Sequence, residues 1–142
     1  MNEETIPKPP LTSIVFGLVV YWVTLIGSII VVIGAVVAFV SKANYVPPSH
    51  WFTSLWQGNS TAEIWEVATS SVPVGHWYMS QLATGDGLSA FGMSVGVSSV
   101  TIALLVSAAM LYKSKSMLYG TLSLAAALII IVATIGLTPL PS

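Results

Sequence analysis

The sequence predicts an all-α membrane protein with three transmembrane helices and, between the first and second of them, an extracytoplasmic cap of short interfacial helices. Two observations predict this class. Of the 142 residues, 55% are hydrophobic and only 6% are charged, whereas a soluble domain carries about a quarter of charged residues. The hydrophobic residues also concentrate in three stretches, each long enough for the roughly 20-residue helix that crosses a bilayer.

The three uncharged stretches define the predicted spans. The first span, residues 11–41, is longer than a bilayer requires, so it must tilt or project beyond the membrane. The second and third spans, residues 88–112 and 117–137, are separated only by residues 113–116. Because this connection is so short, we expect the two helices to form an antiparallel hairpin.

The lysines beside the spans predict the orientation, since basic residues are retained on the cytoplasmic side. A cytoplasmic N-terminus puts three lysines inside and only Lys42 outside. We therefore expect a multi-pass protein of the plasma or inner membrane. Its other segments are then a cytoplasmic tail at 1–10, an extracytoplasmic aromatic-rich cap at 42–87, a cytoplasmic turn at 113–116 and an extracytoplasmic tail at 138–142.

Small residues recur in the second span at three- and four-residue spacing, which leaves one helix face nearly free of bulk. Helices in a bilayer associate through such faces, because small side chains let two backbones approach closely. The first span offers two glycines for the same contact. The predicted helix-packing residues are Ser89, Gly92, Gly96, Ser99, Ala103 and Ser107 in the second span, and Gly27 and Gly34 in the first.

None of the three predicted spans contains an acidic, basic or histidine residue. Pumps, proton relays and ion channels place such residues at membrane depth, and haem within the bilayer needs an axial side chain, usually histidine. We therefore expect no autonomous transport and no cofactor bound by this chain alone.

The segment between the first two spans holds four of the five tryptophans and has signals for short helices. Ser49 is expected to cap one helix that ends near Gly58. Ser60 and Glu63 have the spacing of a capping box and open a second helix. Asp86 is the expected N-cap of the second span.

Two interpretations of these aromatic residues remain open. Tryptophan and tyrosine rings prefer the headgroup layer, so an aromatic collar would explain most of the segment without a ligand. Tryptophan is also a favoured anchor in protein interfaces. The candidate interfacial or partner-docking residues are Trp51, Phe52, Trp56 and Trp65.

Both histidines, His50 and His76, also lie in this segment. They have no local ligand spacing and no cysteine nearby, so we expect no metal site. His76, with Trp77 and Tyr78, is the candidate contact for a quinone or lipid, because an imidazole can donate a hydrogen bond to a carbonyl oxygen. Asn59 begins an N-glycosylation tripeptide and is a candidate for that modification.

The composition excludes several classes of function. The formal net charge is −1 and there is no arginine, so the clustered cations that neutralise nucleic-acid phosphates are missing. Without cysteine there is no disulfide, iron–sulfur cluster or cysteine nucleophile. The chain also lacks a Gly-x-Ser-x-Gly elbow, a phosphate loop and a His-Glu-x-x-His motif. We expect it not to be an enzyme.

The second half of the chain combines a glycine-led helix, a short charged turn and a final apolar helix. The helix opens with Gly85-Asp86-Gly87-Leu88 and continues through Gly92, and the last helix begins near Leu118-Tyr119. In these features the chain resembles an uncharacterised family of small three-span prokaryotic membrane proteins. The resemblance implies three spans with a longer outer loop and adds no catalytic residue.

These observations favour a non-catalytic accessory subunit of an energy-transducing membrane complex, of the respiratory, quinone-linked or terminal-oxidase type. Its expected partners are other integral membrane subunits and lipids. The alternative is a small partner or regulatory subunit of a transporter. A third hypothesis is a haem or metal binder that uses His50 and His76.

Overall fold

A computed structural model of the chain describes residues 8–41, 44–70, 73 and 75–135. In this part of the chain every regular element is helical, and no strand occurs, so the predicted all-α class is confirmed. The five α-helices and one 3₁₀ turn are α1 (Leu11–Val40), α2 (Pro48–Trp56), α3 (Thr61–Thr69), the turn Trp77–Ser80, α4 (Gly85–Lys113) and α5 (Met117–Ile135).

Helices α1, α4 and α5 are each long and apolar enough to cross a membrane. With 30 residues, α1 extends for about 45 Å at the usual helical rise, which exceeds a hydrocarbon layer of about 30 Å. The three helices indicate a multi-pass membrane protein. The extracytoplasmic position of the segment between α1 and α4 stays a prediction, and so does the orientation. Residues 1–7 of the predicted tail at 1–10, and all of the predicted tail at 138–142, lie outside the described residues.

The start of α4 differs from the prediction. The helix begins at Gly85 rather than Leu88, and its cap is Thr84, whose hydroxyl accepts a hydrogen bond from the Gly87 N–H at 3.2 Å. Asp86 is therefore not the N-cap but a residue of the first turn. Thr84 takes the capping position because its side chain also donates to the Gln81 carbonyl, which holds the preceding turn. An acidic residue thus lies within the helix of a candidate span.

For α2, the predicted start is wrong and the predicted end is confirmed. Pro47 precedes α2 and Pro48 occupies its first position, where the fixed φ of proline suits a helix start. Ser49, the predicted cap, therefore lies inside the helix. The predicted stop is confirmed, because Gly58 adopts a left-handed φ of 75° and the Asn59 N–H donates to the Ser54 carbonyl.

The capping box that opens α3 is confirmed. The Ser60 hydroxyl accepts from the Glu63 N–H at 3.4 Å, and the Glu63 carboxylate accepts from the Ser60 N–H at 2.7 Å. The helix ends where Ser70 adopts a left-handed φ of 63°.

The chain forms two compact units. We call Thr24–Val97 the central unit and Met1–Val23 with Ser98–Ser142 the terminal unit. The central unit holds the second part of α1, the two short helices, the 3₁₀ turn and the start of α4. The terminal unit holds the start of α1, the rest of α4 and α5.

In the central unit, α1 and α4 touch backbone to backbone. A Cβ atom on Gly27 would lie 2.7 Å from the Gly92 carbonyl oxygen and 2.8 Å from the Gly96 nitrogen. A Cβ atom on Gly34 would lie 2.6 Å from the Ser89 nitrogen. Gly27 and Gly34 are both buried. The three packing residues predicted nearest the start of α4, Ser89, Gly92 and Gly96, and the two predicted in α1 therefore include the points of closest approach.

In the terminal unit, the other predicted packing residues of α4 are covered. Ser99, Ala103 and Ser107 are 1%, 0% and 5% exposed. The connection to α5 is a tight turn in which Lys115 adopts a left-handed φ of 61°. Beyond it, the Tyr112 ring lies 3.3 Å from where a Cβ on Gly120 would be, so the start of α5 packs on the end of α4.

Candidate functional site

An apolar groove with one polar end opens on the central unit. Its volume of about 410 Å³ falls in the range of roughly 300–1,000 Å³ usual for small-molecule sites. Side chains from α1, α2 and α4 form its walls. We call it the Asp86 groove, and the apolar residues in its walls include Ala35, Phe39, Trp51, Phe52, Ala90 and Met93.

Asp86 supplies the charge at the polar end of the groove. One carboxylate oxygen accepts from the N–H groups of Tyr45 at 2.8 Å and Gly87 at 3.1 Å, and the other accepts from the N–H of Val46 at 2.9 Å. Hydrogen bonds to a charged group contribute about 1.5–3 kcal/mol each. Asp86 therefore ties the segment after α1 to the first turn of α4. All three donors are uncharged amides, so they do not neutralise its charge.

Asn44 adds a second acceptor at this end. Its amide nitrogen donates to the Ala38 carbonyl at 2.8 Å, which satisfies an oxygen in the last turn of α1. Its Oδ1 is buried and has no hydrogen-bond partner among the described residues. A buried acceptor left unpaired costs about 1–3 kcal/mol. The hydroxyl of Ser89, also in the wall, donates to the Gly85 carbonyl at 2.8 Å.

Four aromatic rings in successive contact, which we call the aromatic chain, lead to the wall of the groove. Tyr45 stacks on Trp77 with ring centroids 5.2 Å apart, and Trp77 meets Trp65 edge to face at 5.6 Å. Trp65 meets Trp51, a wall residue, at 4.9 Å. Such pairs contribute about 0.5–1.5 kcal/mol each beyond burial. The four rings come from four different segments, so their contacts fix the position of α2 in the central unit.

Among the three residues of the predicted quinone or lipid contact, the Tyr78 ring meets both of the others edge to face, His76 at 5.7 Å and Trp77 at 6.4 Å between ring centroids. The His76 Nδ1 lies 2.8 Å from the Tyr78 hydroxyl, which lies 2.8 Å from the Ser94 hydroxyl in α4. Trp77 also belongs to the aromatic chain. When Tyr78 donates to Nδ1 of a neutral His76, the ring proton is on Nε2. In that state the exposed imidazole can donate to the carbonyl of a ligand.

His50 has a structural contact. Its Nε2 lies 3.1 Å from the Ile64 carbonyl, and since a carbonyl only accepts, Nε2 is the donor of this hydrogen bond. The bond links α2 to α3. Within the described residues no group of three histidine, cysteine or acidic side chains is placed to hold a metal ion. The geometry thus gives the hypothesis of a haem or metal binder no support from His50 Nε2.

The four predicted docking residues differ in their exposure to solvent. Trp51 and Trp65 are half-buried in the aromatic chain, whereas Phe52 and Trp56 are 69% and 94% exposed. Leu55, 61% exposed, lies between them on the helix, so three apolar side chains at helical spacing make an outward face. We call Phe52, Leu55 and Trp56 the α2 outer face.

Asn59, the candidate for glycosylation, is exposed in the connection between α2 and α3. The next residue, Ser60, is the N-cap of α3 and hydrogen-bonds to Glu63. The asparagine side chain itself is therefore accessible from solvent, while the serine beside it is held in the capping box.

The fold and these features define a small helical protein of the multi-pass membrane class. A protein-family model matches residues 12–137, so the match extends over the first span and the aromatic segment as well as the second half. A relative from Archaeoglobus fulgidus, described as an uncharacterized protein, is 28% identical over 111 residues, which cover 77% of this chain and 72% of the relative. No solved structure matches the chain. The chain belongs to this uncharacterised family, as predicted.

Proposed function

We propose that this protein is a non-catalytic accessory subunit of a multi-subunit energy-transducing membrane complex, of the respiratory, quinone-linked or terminal-oxidase type. It packs against partner helices and caps a quinone or lipid entrance. The observation that carries the proposal is the exposure of the α2 outer face. Its tryptophan, Trp56, is 94% exposed although tryptophan is the residue most typical of interface anchors.

The rigidity of α2 supports a docking role. The helix is fixed on its inner side by Trp51 in the aromatic chain and by the bond from His50 to Ile64. A preorganised face loses little conformational entropy when it binds, which favours association. An apolar face rimmed by polar residues is typical of a protein or membrane contact.

The quinone-linked class draws support from His76. Its imidazole is exposed, and its hydrogen bond to Tyr78 selects the tautomer with a proton on Nε2 whenever Tyr78 donates. A quinone carbonyl can accept a hydrogen bond from this N–H group. In this proposal His76 contacts the quinone, and the partner subunits carry the redox chemistry.

Site-specific crosslinking tests the proposal. A photoreactive amino acid at position 56, in protein expressed in its native host, should crosslink to an integral subunit of an energy-transducing complex. The matched control is position 67 on α3, where Val67 is 75% exposed but not part of the α2 outer face, and it should give at most weak crosslinks. A permease as the main product would favour the transporter alternative. Adducts with lipid alone would contradict both and favour the aromatic collar.

A further inference from the structure

We propose that the Asp86 groove binds a membrane lipid with an apolar chain and an ammonium headgroup. This site is separate from the contact that carries the accessory-subunit proposal, because only Phe52 belongs to both surfaces. Three properties of the groove support this ligand: the apolar walls, the chemistry of the polar end, and the way in which α1 and α4 place the polar end relative to the walls.

The walls suit a hydrocarbon chain. Alanine, phenylalanine, tryptophan and methionine side chains make up most of the surface, and small residues on both long helices, Ala35 and Ala90, keep the groove open. An apolar cavity with a few fixed polar groups is the usual form of a small-molecule site.

The polar end offers hydrogen-bond acceptors and a negative charge. The three donors to the Asp86 carboxylate are neutral backbone amides, so none of them brings a positive charge to this end of the groove. Asn44 Oδ1 has no donor among the described residues, and the Ser89 hydroxyl already donates to the Gly85 carbonyl. An ammonium group brings both a positive charge and three donors. A carboxylate or phosphate would bring further acceptors and be repelled.

The register of both helices orients the ligand. Asp86, Ala90 and Met93 recur at four- and three-residue spacing, so they lie on one face of α4 and run from its first turn into its apolar part. On α1, Phe39 lies near the helix end and Ala35 one turn deeper. A lipid placed with its headgroup at Asp86 therefore has its chain along the apolar parts of both helices.

The helix dipoles do not oppose this assignment. The N-terminus of α4 carries a partial positive charge and the C-terminus of α1 a partial negative charge. Both ends lie at the same place, because a Cβ on Gly85 would meet the backbone of Ala38. Their effects on a headgroup offset each other, and the Asp86 carboxylate decides the sign.

A ligand series with one chain length tests the proposal on the unmodified protein. Hexadecylamine, hexadecanol and palmitate are titrated into the detergent-purified protein at neutral pH, with binding followed by tryptophan fluorescence, since Trp51 lines the groove. We expect the amine to bind about tenfold more tightly than the alcohol, with palmitate weakest. Equal binding of the three ligands, or preference for palmitate, would overturn the proposal.

Two tryptophan substitutions locate the binding. Met93→Trp narrows the groove, whereas Val97→Trp, one turn further along α4 and also exposed, lies outside its walls. Met93→Trp should weaken amine binding about tenfold and Val97→Trp should leave it unchanged, with folding of both checked by circular dichroism. Amine binding that Met93→Trp leaves intact would mean partition into detergent.

The natural ligand is tested on protein from native membranes. Mass spectrometry of lipids retained by the wild-type protein and by Met93→Trp should show an amine-bearing lipid that the wild type enriches and the variant loses. If hexadecylamine binds but no amine-bearing lipid is enriched, the assignment to a membrane lipid is wrong. Because neither assay depends on a partner subunit, failure here is distinguishable from failure of the accessory-subunit proposal.

Discussion

Gly92 and Gly96 have the same spacing as a helix-packing pair, yet their surroundings differ. A Cβ on Gly92 would lie 2.7 Å from the Val31 nitrogen, whereas a Cβ on Gly96 would have nothing within 4 Å. Four residues turn an α-helix by slightly more than one full turn, about 40° more, so the two Cα–H bonds do not point the same way. The backbone of Gly96 contacts Gly27, whereas at Gly92 the absence of a side chain leaves room for the backbone of α1.

This difference predicts opposite outcomes for the same substitution. Gly92→Ala should lower the free energy of unfolding by about 1–3 kcal/mol, as expected when a methyl group is forced into a filled contact. Gly96→Ala should change it by less than about 0.5 kcal/mol, as at sites without contacts. Thermal unfolding in one detergent, followed by circular dichroism, compares the two variants. Equal losses would show that the contact between α1 and α4 is wrongly described.

The sequence alone could not predict that the polar residues of the Asp86 groove come together. Asp86 stood out as a lone acidic residue between two glycines, and the sequence predicted it as a cap. Its real partners, Tyr45 and Val46, are about 40 residues earlier in the chain. Asn44 had no local signal at all. Only the tertiary fold brings these groups together, so no spacing rule could identify the groove.

At the scale of elements, local signals predicted helix ends well where the partners are close in sequence. Ser60 and Glu63 form the box that opens α3, and Gly58 closes α2. The predicted caps of α2 and α4, Ser49 and Asp86, are wrong, because each residue lies inside its helix. At α2 the fixed φ of Pro48 suits a helix start, so the helix begins two residues before the start that a Ser49 cap predicts. At α4 the side chain of Thr84 caps the helix, and Asp86 bonds to a distant segment.

Glu63 makes the start of α3 sensitive to acid. The hydrogen bond from the Ser60 N–H, and then that from the Ser60 hydroxyl, hold the pKa of Glu63 below its ordinary value of 4.5. A lowered pKa in the folded state means that the unfolded chain binds protons more readily. The stabilisation is therefore fully present above pH 4.5 and is lost as the pH falls through the lower folded value.

Amide hydrogen exchange can detect this loss in the first turn of α3. After correction for intrinsic rates, protection of the Glu63 and Ile64 amides should be constant from pH 7 to about 5 and fall below the ordinary glutamate pKa. Glu63→Gln keeps an acceptor for the Ser60 N–H but cannot titrate, so its protection should not change with pH. If the glutamine variant lost protection in the same range, another group would be responsible.

At the scale of the whole molecule, composition and the length of apolar stretches predicted the class, because burial in lipid leaves a strong sequence signal. Helices α1, α4 and α5 match the predicted spans to within a few residues at each described end. The segment between α1 and α4 was predicted only as short helices. Its aromatic chain, from Tyr45 to Trp51, joins four segments, and such pairings depend on tertiary contacts that periodicity does not encode.

The predicted orientation has a direct test because the chain has no cysteine. Asn59→Cys and Ser114→Cys each introduce one thiol at an exposed position, on opposite sides of the membrane if the N-terminus is cytoplasmic. A membrane-impermeant maleimide on intact cells should label Asn59→Cys, and should label Ser114→Cys only after permeabilisation. The reverse pattern would contradict the orientation.

The cause of the orientation is tested by removing the two lysines of the turn between α4 and α5. With Lys113→Gln and Lys115→Gln together, only Lys8 and Lys42 are left, one on each side. Since the orientation follows the excess of basic residues beside the spans, the population should become mixed, with the thiols at 59 and 114 each labelled in part of the intact cells. An unchanged pattern would mean that the long first helix, rather than the lysines, sets the topology.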